Sequence, residues 1–138
     1  ALVMAAWSCS TMGAAAESEV FQAVAAAAKT WLRREDLGEF SGHDVALLTW
    51  VLGRRGLHDS DLLKLLMPAA VALLEDFAPS DLANLTVGMA RLGLGKAHCD
   101  VLIEVLARAD ALSASFSTEE WQRLGWAFMR LGTPCTVG

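Results

Sequence analysis

The sequence predicts an all-α fold, an α-solenoid of about three to four two-helix repeats, and three observations predict it. A seventeen-residue stretch recurs without gaps: Phe40 to Gly56 reads FSGHDVALLTWVLGRRG, Phe77 to Gly93 reads FAPSDLANLTVGMARLG, and Phe116 to Gly132 reads FSTEEWQRLGWAFMRLG. Its closing glycines return every 37–43 residues, counting Gly13, because Leu2, Ala5, Trp7 and Gly13 of the N-terminal LVMAAWSCSTMG fall in the matching columns. The composition is 54% hydrophobic and rich in Ala and Leu, with no Tyr, three Pro and no strict apolar/polar alternation that would mark a sheet. Self-similarity at such a period is the sequence mark of stacked helical hairpins, because one hairpin cannot bury its own apolar face.

The chain then divides as one domain over 1–138: a repeat at 1–39 truncated at its start, repeats at 40–76 and 77–115, and one at 116–138 truncated at its end. Each repeat supplies a first helix, over 2–12, 43–55, 80–92 and 118–131. Ser117 with Glu120 is a capping box at the last of these, and Ser41 with Asp44 is a weaker version at the second. Asp81 and Glu119 place negative charge at the positive end of the helix dipole. Gly56, Gly93 and Gly132 suit the left-handed position just past a helix end, where a side chain would clash. Phe40, Phe77 and Phe116, together with Trp50 and Trp126, read as core positions of the repeat.

A second helix follows over roughly 17–36, 60–76 and 97–112. Val101, Leu102, Val105 and Leu106 form one apolar stripe, and Glu104 with Arg108 makes an i,i+4 pair on the wet side. Pro68 lacks an N–H and clashes with the preceding turn, which predicts a kink or break near Met67. The short connections, Arg55-Gly56-Leu57-His58 and Gly93-Leu94-Gly95-Lys96, favour antiparallel neighbours.

Composition also excludes. The net charge of −5 argues against a general polyanion binder. Cys9, Cys99 and Cys135 are odd in number and lack a CxxC, so they read as plain thiols in a reducing compartment. No uncharged stretch reaches the roughly 18–20 residues of a membrane span. Ala1 to Ala16 comes closest, but it matches the repeat columns and lacks a basic leader, so it reads as half a repeat in a chain that begins inside an array.

The frame F-S-x-x-[DE]-L-A-N-L-x-x-A-x-x-[RK]-L-G resembles the first helix of the octotricopeptide repeats of algal organelles. It also resembles the related heptatricopeptide repeats of apicomplexan, dinoflagellate and FAST-kinase-like, RAP-associated proteins. Phe77-Ala-Pro-Ser-Asp-Leu-Ala-Asn-Leu matches most closely, and Glu119-Glu120-Trp121 resembles the acid-Trp element of the octotricopeptide motif, which only this copy carries. The resemblance spans the whole chain. It implies a helical-repeat fold and RNA binding in a mitochondrion or plastid, ribosome included.

No catalytic constellation stands out. Gly93-Leu-Gly95-Lys96 mimics a phosphate loop but fails the GxxxxGK[ST] spacing. His98-Cys99 has no second pair at metal-ligand spacing, and His43 and His58 stand alone near helix starts. The chain therefore reads as a non-enzyme without metal, cofactor or small-molecule substrate.

Charge is divided instead. The first helices and the turns after them carry a net +2, and the rest of the chain −7. Counting Phe as zero, places 3, 7, 10 and 14 share one helix side. Place 10 is the bulky core column, so the outer residues are His43, Leu47 and Arg54; Ser80, Asn84 and Arg91; Glu119, Arg123 and Arg130. A fixed cation beside variable polar residues suits a phosphate anchor with a changeable base contact. On that reading Arg54, Arg91 and Arg130 meet phosphates of single-stranded or ribosomal RNA, while Ser80, Asn84 and Arg123 touch bases. A purely structural account has each arginine favouring the negative end of its own helix. The alternative function is a scaffold whose acidic second-helix face docks other protein subunits of a large organellar assembly, ribosomal, photosynthetic or respiratory, with no RNA contact.

Overall fold

The computed structural model describes residues 17–33 and 41–132. Six α-helices follow one another there: α1 (Glu17–Arg33), α2 (Gly42–Arg55), α3 (Ser60–Ala72), α4 (Pro79–Leu92), α5 (Cys99–Ala111) and α6 (Thr118–Leu131). Single 3-10 turns at Leu74–Asp76 and Ser113–Ser115 follow α3 and α5, and no strand occurs among the described residues. The expected helix over 2–12, the end of the 17–36 helix and Phe40 lie outside the described residues.

The helix ends follow from local chemistry. Ser41 and Ser117 each accept a hydrogen bond from the N–H three residues on, while Asp44 and Glu120 accept from the cap's own N–H, closing both capping boxes. At α4 the cap is Ala78, which has no side-chain acceptor. Asp81 alone closes that end by accepting from the Ala78 N–H at 3.0 Å. Gly56 and Gly93 stop α2 and α4 in the left-handed conformation, at φ of 66° and 68°. Gly132 has positive φ but an extended ψ, so it ends α6 without the left-handed cap.

Packing separates the helices into two layers. In one, α2 lies on α4 and α4 on α6; in the other, α1 lies on α3 and α3 on α5, and the hairpins α2–α3 and α4–α5 join the layers. The main core runs between them, built on Leu48, Leu62, Leu63, Leu66, Leu82, Leu85, Met89 and Val105, and a smaller cluster of Val87, Ala90 and Ala127 lies between α4 and α6. Removing each such Leu or Met side chain from water stabilises the fold by about 1.5–3 kcal/mol. Phe77, the opening residue of its repeat, is only 2% exposed, and its ring fits over Gly42, where a Cβ would come within 2.6 Å. Phe116 is half-buried and stacks on Trp121 at 4.2 Å between centroids.

The layer of α2 and α4 is held unusually close. A Cβ on Gly53 would lie 2.8 Å from the Gly88 Cα, and one on Gly88 would collide with the Thr49 carbonyl. Thr49 and Thr86 sit fully buried in this layer because each hydroxyl donates back to its own helix, to the Val45 and Leu82 carbonyls at 2.9 Å.

Three expectations are corrected. α3 is not broken at Met67: it runs from Ser60 to Ala72 with Pro68 inside it on the exposed side, and the 3-10 turn begins only after Leu73. Arg108 makes no ion pair with Glu104. Its Nη2 donates to the Glu75 carbonyl at 2.7 Å, tying α5 to the turn after α3. Cys99 is disulfide-bonded rather than an idle thiol, with its partner outside the described residues.

Candidate nucleic-acid interface

The side of the α2–α4–α6 layer that carries the fixed arginines is built by helix register. Arg54, Arg91 and Arg130 occupy the last turn of each helix and are exposed. Each guanidinium lies against an indole: Arg54 at 5.3 Å from the Trp50 ring centre, Arg91 at 6.0 Å and Arg130 at 5.6 Å from that of Trp126. Arg54 and Arg130 reach a ring four residues back on their own helix, whereas Arg91 reaches across from α4 to α6. Such contacts are worth roughly 0.5–1 kcal/mol when exposed. They hold the cations in place without neutralising them.

Trp126 is therefore not core, whereas Trp50 packs against the core. Trp50 is half-buried and Trp126 is 45% exposed. The core column expected at place 10 lies on the flank between neighbouring first helices, because the helices are rotated so that places 5 and 8 face the second layer. Val45, Leu48, Leu82 and Leu85 fill that core. The same rotation buries Leu47, which the sequence reading placed on the outer side.

The variable polar positions are brought together, chiefly with one another. Arg123 Nη2 donates to Asn84 Oδ1 at 2.6 Å, bridging α4 and α6. His43 Nδ1 lies 2.8 Å from Asp81 Oδ1, bridging α2 and α4. Asp81 is buried and is also the acceptor for the Ala78 N–H, so its carboxylate serves as both a helix cap and an inter-repeat tie. Ser80 stays exposed near the start of α4. A groove of about 290 Å³ opens between α4 and α6, lined by Val87, Arg91, Glu119, Gln122, Arg123 and Trp126. Sequence reasoning missed the two cross-helix pairs. The signal was available in one form only: a His at place 3 precedes an acid at place 4 of the next copy, and Asn and Arg share place 7.

No protein-family model, curated protein or solved structure matches the chain. Among the described residues no group of three His, Cys, Asp or Glu side chains could hold a metal ion. No helix there is long and apolar enough to cross a membrane.

Proposed function

We propose that the chain is a non-catalytic α-solenoid segment whose first-helix layer binds single-stranded or ribosomal RNA, as an organellar gene-expression or ribosomal protein of the octotricopeptide-like kind. One observation carries this reading: three exposed arginines follow one another across three packed helices, each set against a tryptophan ring. Guanidinium groups reach phosphates, and a half-exposed indole such as Trp126 offers a face on which a base stacks regardless of sequence. Ser80 and the Asn84–Arg123 pair lie on this side and would supply polar contacts to a base. The segregation of charge suits the same face, since the excess of acid lies in the rest of the chain.

With about three phosphate contacts, binding is modest and falls with salt at a slope of about −2 in log–log form. The test is fluorescence titration of a labelled single-stranded RNA against the chain and its Arg54→Ala, Arg91→Ala, Arg130→Ala triple variant across a salt series. The triple variant should lose nearly all of the slope. Unchanged affinity and slope would sink the reading.

A second reading rests on a different surface. Val71 on α3 and Ile103 and Leu106 on α5 are exposed apolar residues of the second-helix layer. They favour a scaffold role in which this layer docks onto other protein subunits of a large organellar assembly.

A further inference from the structure

The two junctions of the first-helix layer differ. Gly53 and Gly88 bring α2 and α4 backbone to backbone, whereas α4 and α6 part to leave the groove of about 290 Å³. Four residues of α6 line that groove: Glu119, Gln122, Arg123 and Trp126. They follow one another at i, i+3, i+4 and i+7, so they form one stripe turned toward α4. Val87 and Arg91 supply the wall from α4. A carboxylate, an amide, two cations and an indole thus converge on one small cleft.

The Arg91 guanidinium stands 6.0 Å from the Trp126 ring centre. A flat ring between two such faces needs about 3.5 Å on each side, so a shift of about 1 Å by the long arginine side chain admits one. Nearer the start of α6, Glu119 makes no ion pair among the described residues, although Arg91 and Arg123 line the same groove. Arg123 is held by Asn84 at 2.6 Å. An ionised carboxylate only accepts hydrogen bonds, whereas an amide also donates. A base edge that suits the two together carries adjacent donors for Glu119 and an acceptor for Gln122.

Guanine meets that requirement. Its N1–H and its amino group are neighbouring donors, and its O6 is the acceptor beside them. Adenine, cytosine and uracil each place an acceptor next to their donor on the same edge, and that acceptor would meet the carboxylate. We infer that the groove takes one guanine of a single-stranded RNA. The ring lies between Trp126 and Arg91, N1–H and the amino group donate to Glu119, and O6 accepts from the Gln122 amide. The inference rests on the first-helix layer binding RNA, and adds that one base is read there as well as held.

Four labelled 12-mers test it by fluorescence anisotropy against the full chain, at a fixed salt concentration of about 50 mM. One is a run of uridines, and the others carry a single central G, A or C. The oligomer with G should bind about tenfold more tightly than the other three, which is about 1.4 kcal/mol. Glu119→Gln should weaken binding of that oligomer alone. The other three should bind as well as before or better, since a negative charge has left a surface that meets phosphates. Trp126→Leu should also weaken the G-containing oligomer most. Glu119 and Trp126 are both exposed, so neither variant should unfold the chain, and melting curves check this. Equal binding of the four oligomers, or a preference for G that survives Glu119→Gln, overturns the inference and leaves RNA binding standing. So does an equal loss of all four in Glu119→Gln, which a merely structural role would produce. No binding of any oligomer overturns the inference and the RNA reading together.

Discussion

A methyl group added at position 88 would strike the Thr49 carbonyl, whereas one added at position 125 would meet open space. Gly88→Ala should therefore destabilise by about 1–3 kcal/mol, the cost of overpacking against backbone that cannot yield. Gly125→Ala should stabilise by about 0.5–1 kcal/mol through lower unfolded-state entropy in a helix interior. Urea unfolding of the two variants reads both signs at once. At Asp59, burial pushes the carboxyl pKa up, but the Lys29 ammonium at 2.9 Å and the N–H groups of Leu62 and Asp61 outweigh this and leave it below its ordinary 3.8. That stabilisation is present above the ordinary value and disappears as pH falls through the lower, folded-state value. Asp59→Asn keeps an acceptor for the Leu62 N–H but loses the charge. It should be less stable than the parent near neutral pH and should show a shallower loss below about pH 4 in urea midpoints. The caps at Ser41 and Ser117 were legible beforehand, but the cap at Asp59 was not read. The Gly53–Gly88 approach depends on where two helices cross, and no spacing along one helix reveals that.

At the scale of elements, the boundaries of the three first helices among the described residues were readable to within a residue because a cap residue, an acid and a glycine punctuate them chemically. The second helices carry weaker signals, and α3 shows why. Its proline removes one N–H and crowds the preceding turn, yet the apolar residues around it, Leu62, Leu63, Leu66, Met67, Ala69 and Ala70, are buried in the core and hold the helix through it. Because Pro68 is exposed and its place is helical, Pro68→Ala should restore the bond to the Lys64 carbonyl. A gain of about 1–3 kcal/mol is expected, seen as a higher Tm with unchanged helical circular dichroism. Trp126 was misjudged as core for a related reason. Bulk and period identify an apolar flank but do not say whether it faces the second layer or the neighbouring helix. At Trp126 the neighbour is an arginine.

At the scale of the molecule, helix contacts among the described residues are almost all between neighbours within a layer or across one hairpin, an arrangement in which stability is expected to be a sum of nearest-neighbour couplings. Amide hydrogen exchange should then be graded: slowest in α4, which is covered by α2 and α6, and faster in the end helices, α1, which packs on α3 alone, and α6, whose outer flank is bare. Uniform protection across all helices would contradict a chain of nearest-neighbour couplings. The touching glycines of α2 and α4 also bear on how such a chain can diverge. With Gly53 and Gly88 backbone to backbone, neither site can take a side chain unless the other helix withdraws, while Ala90 and Ala127 at the next junction can each shrink to glycine at the cost of a small void. The two junctions are therefore not interchangeable: putting the Ala90 or Ala127 side chain at position 53 or 88 would part the two helices.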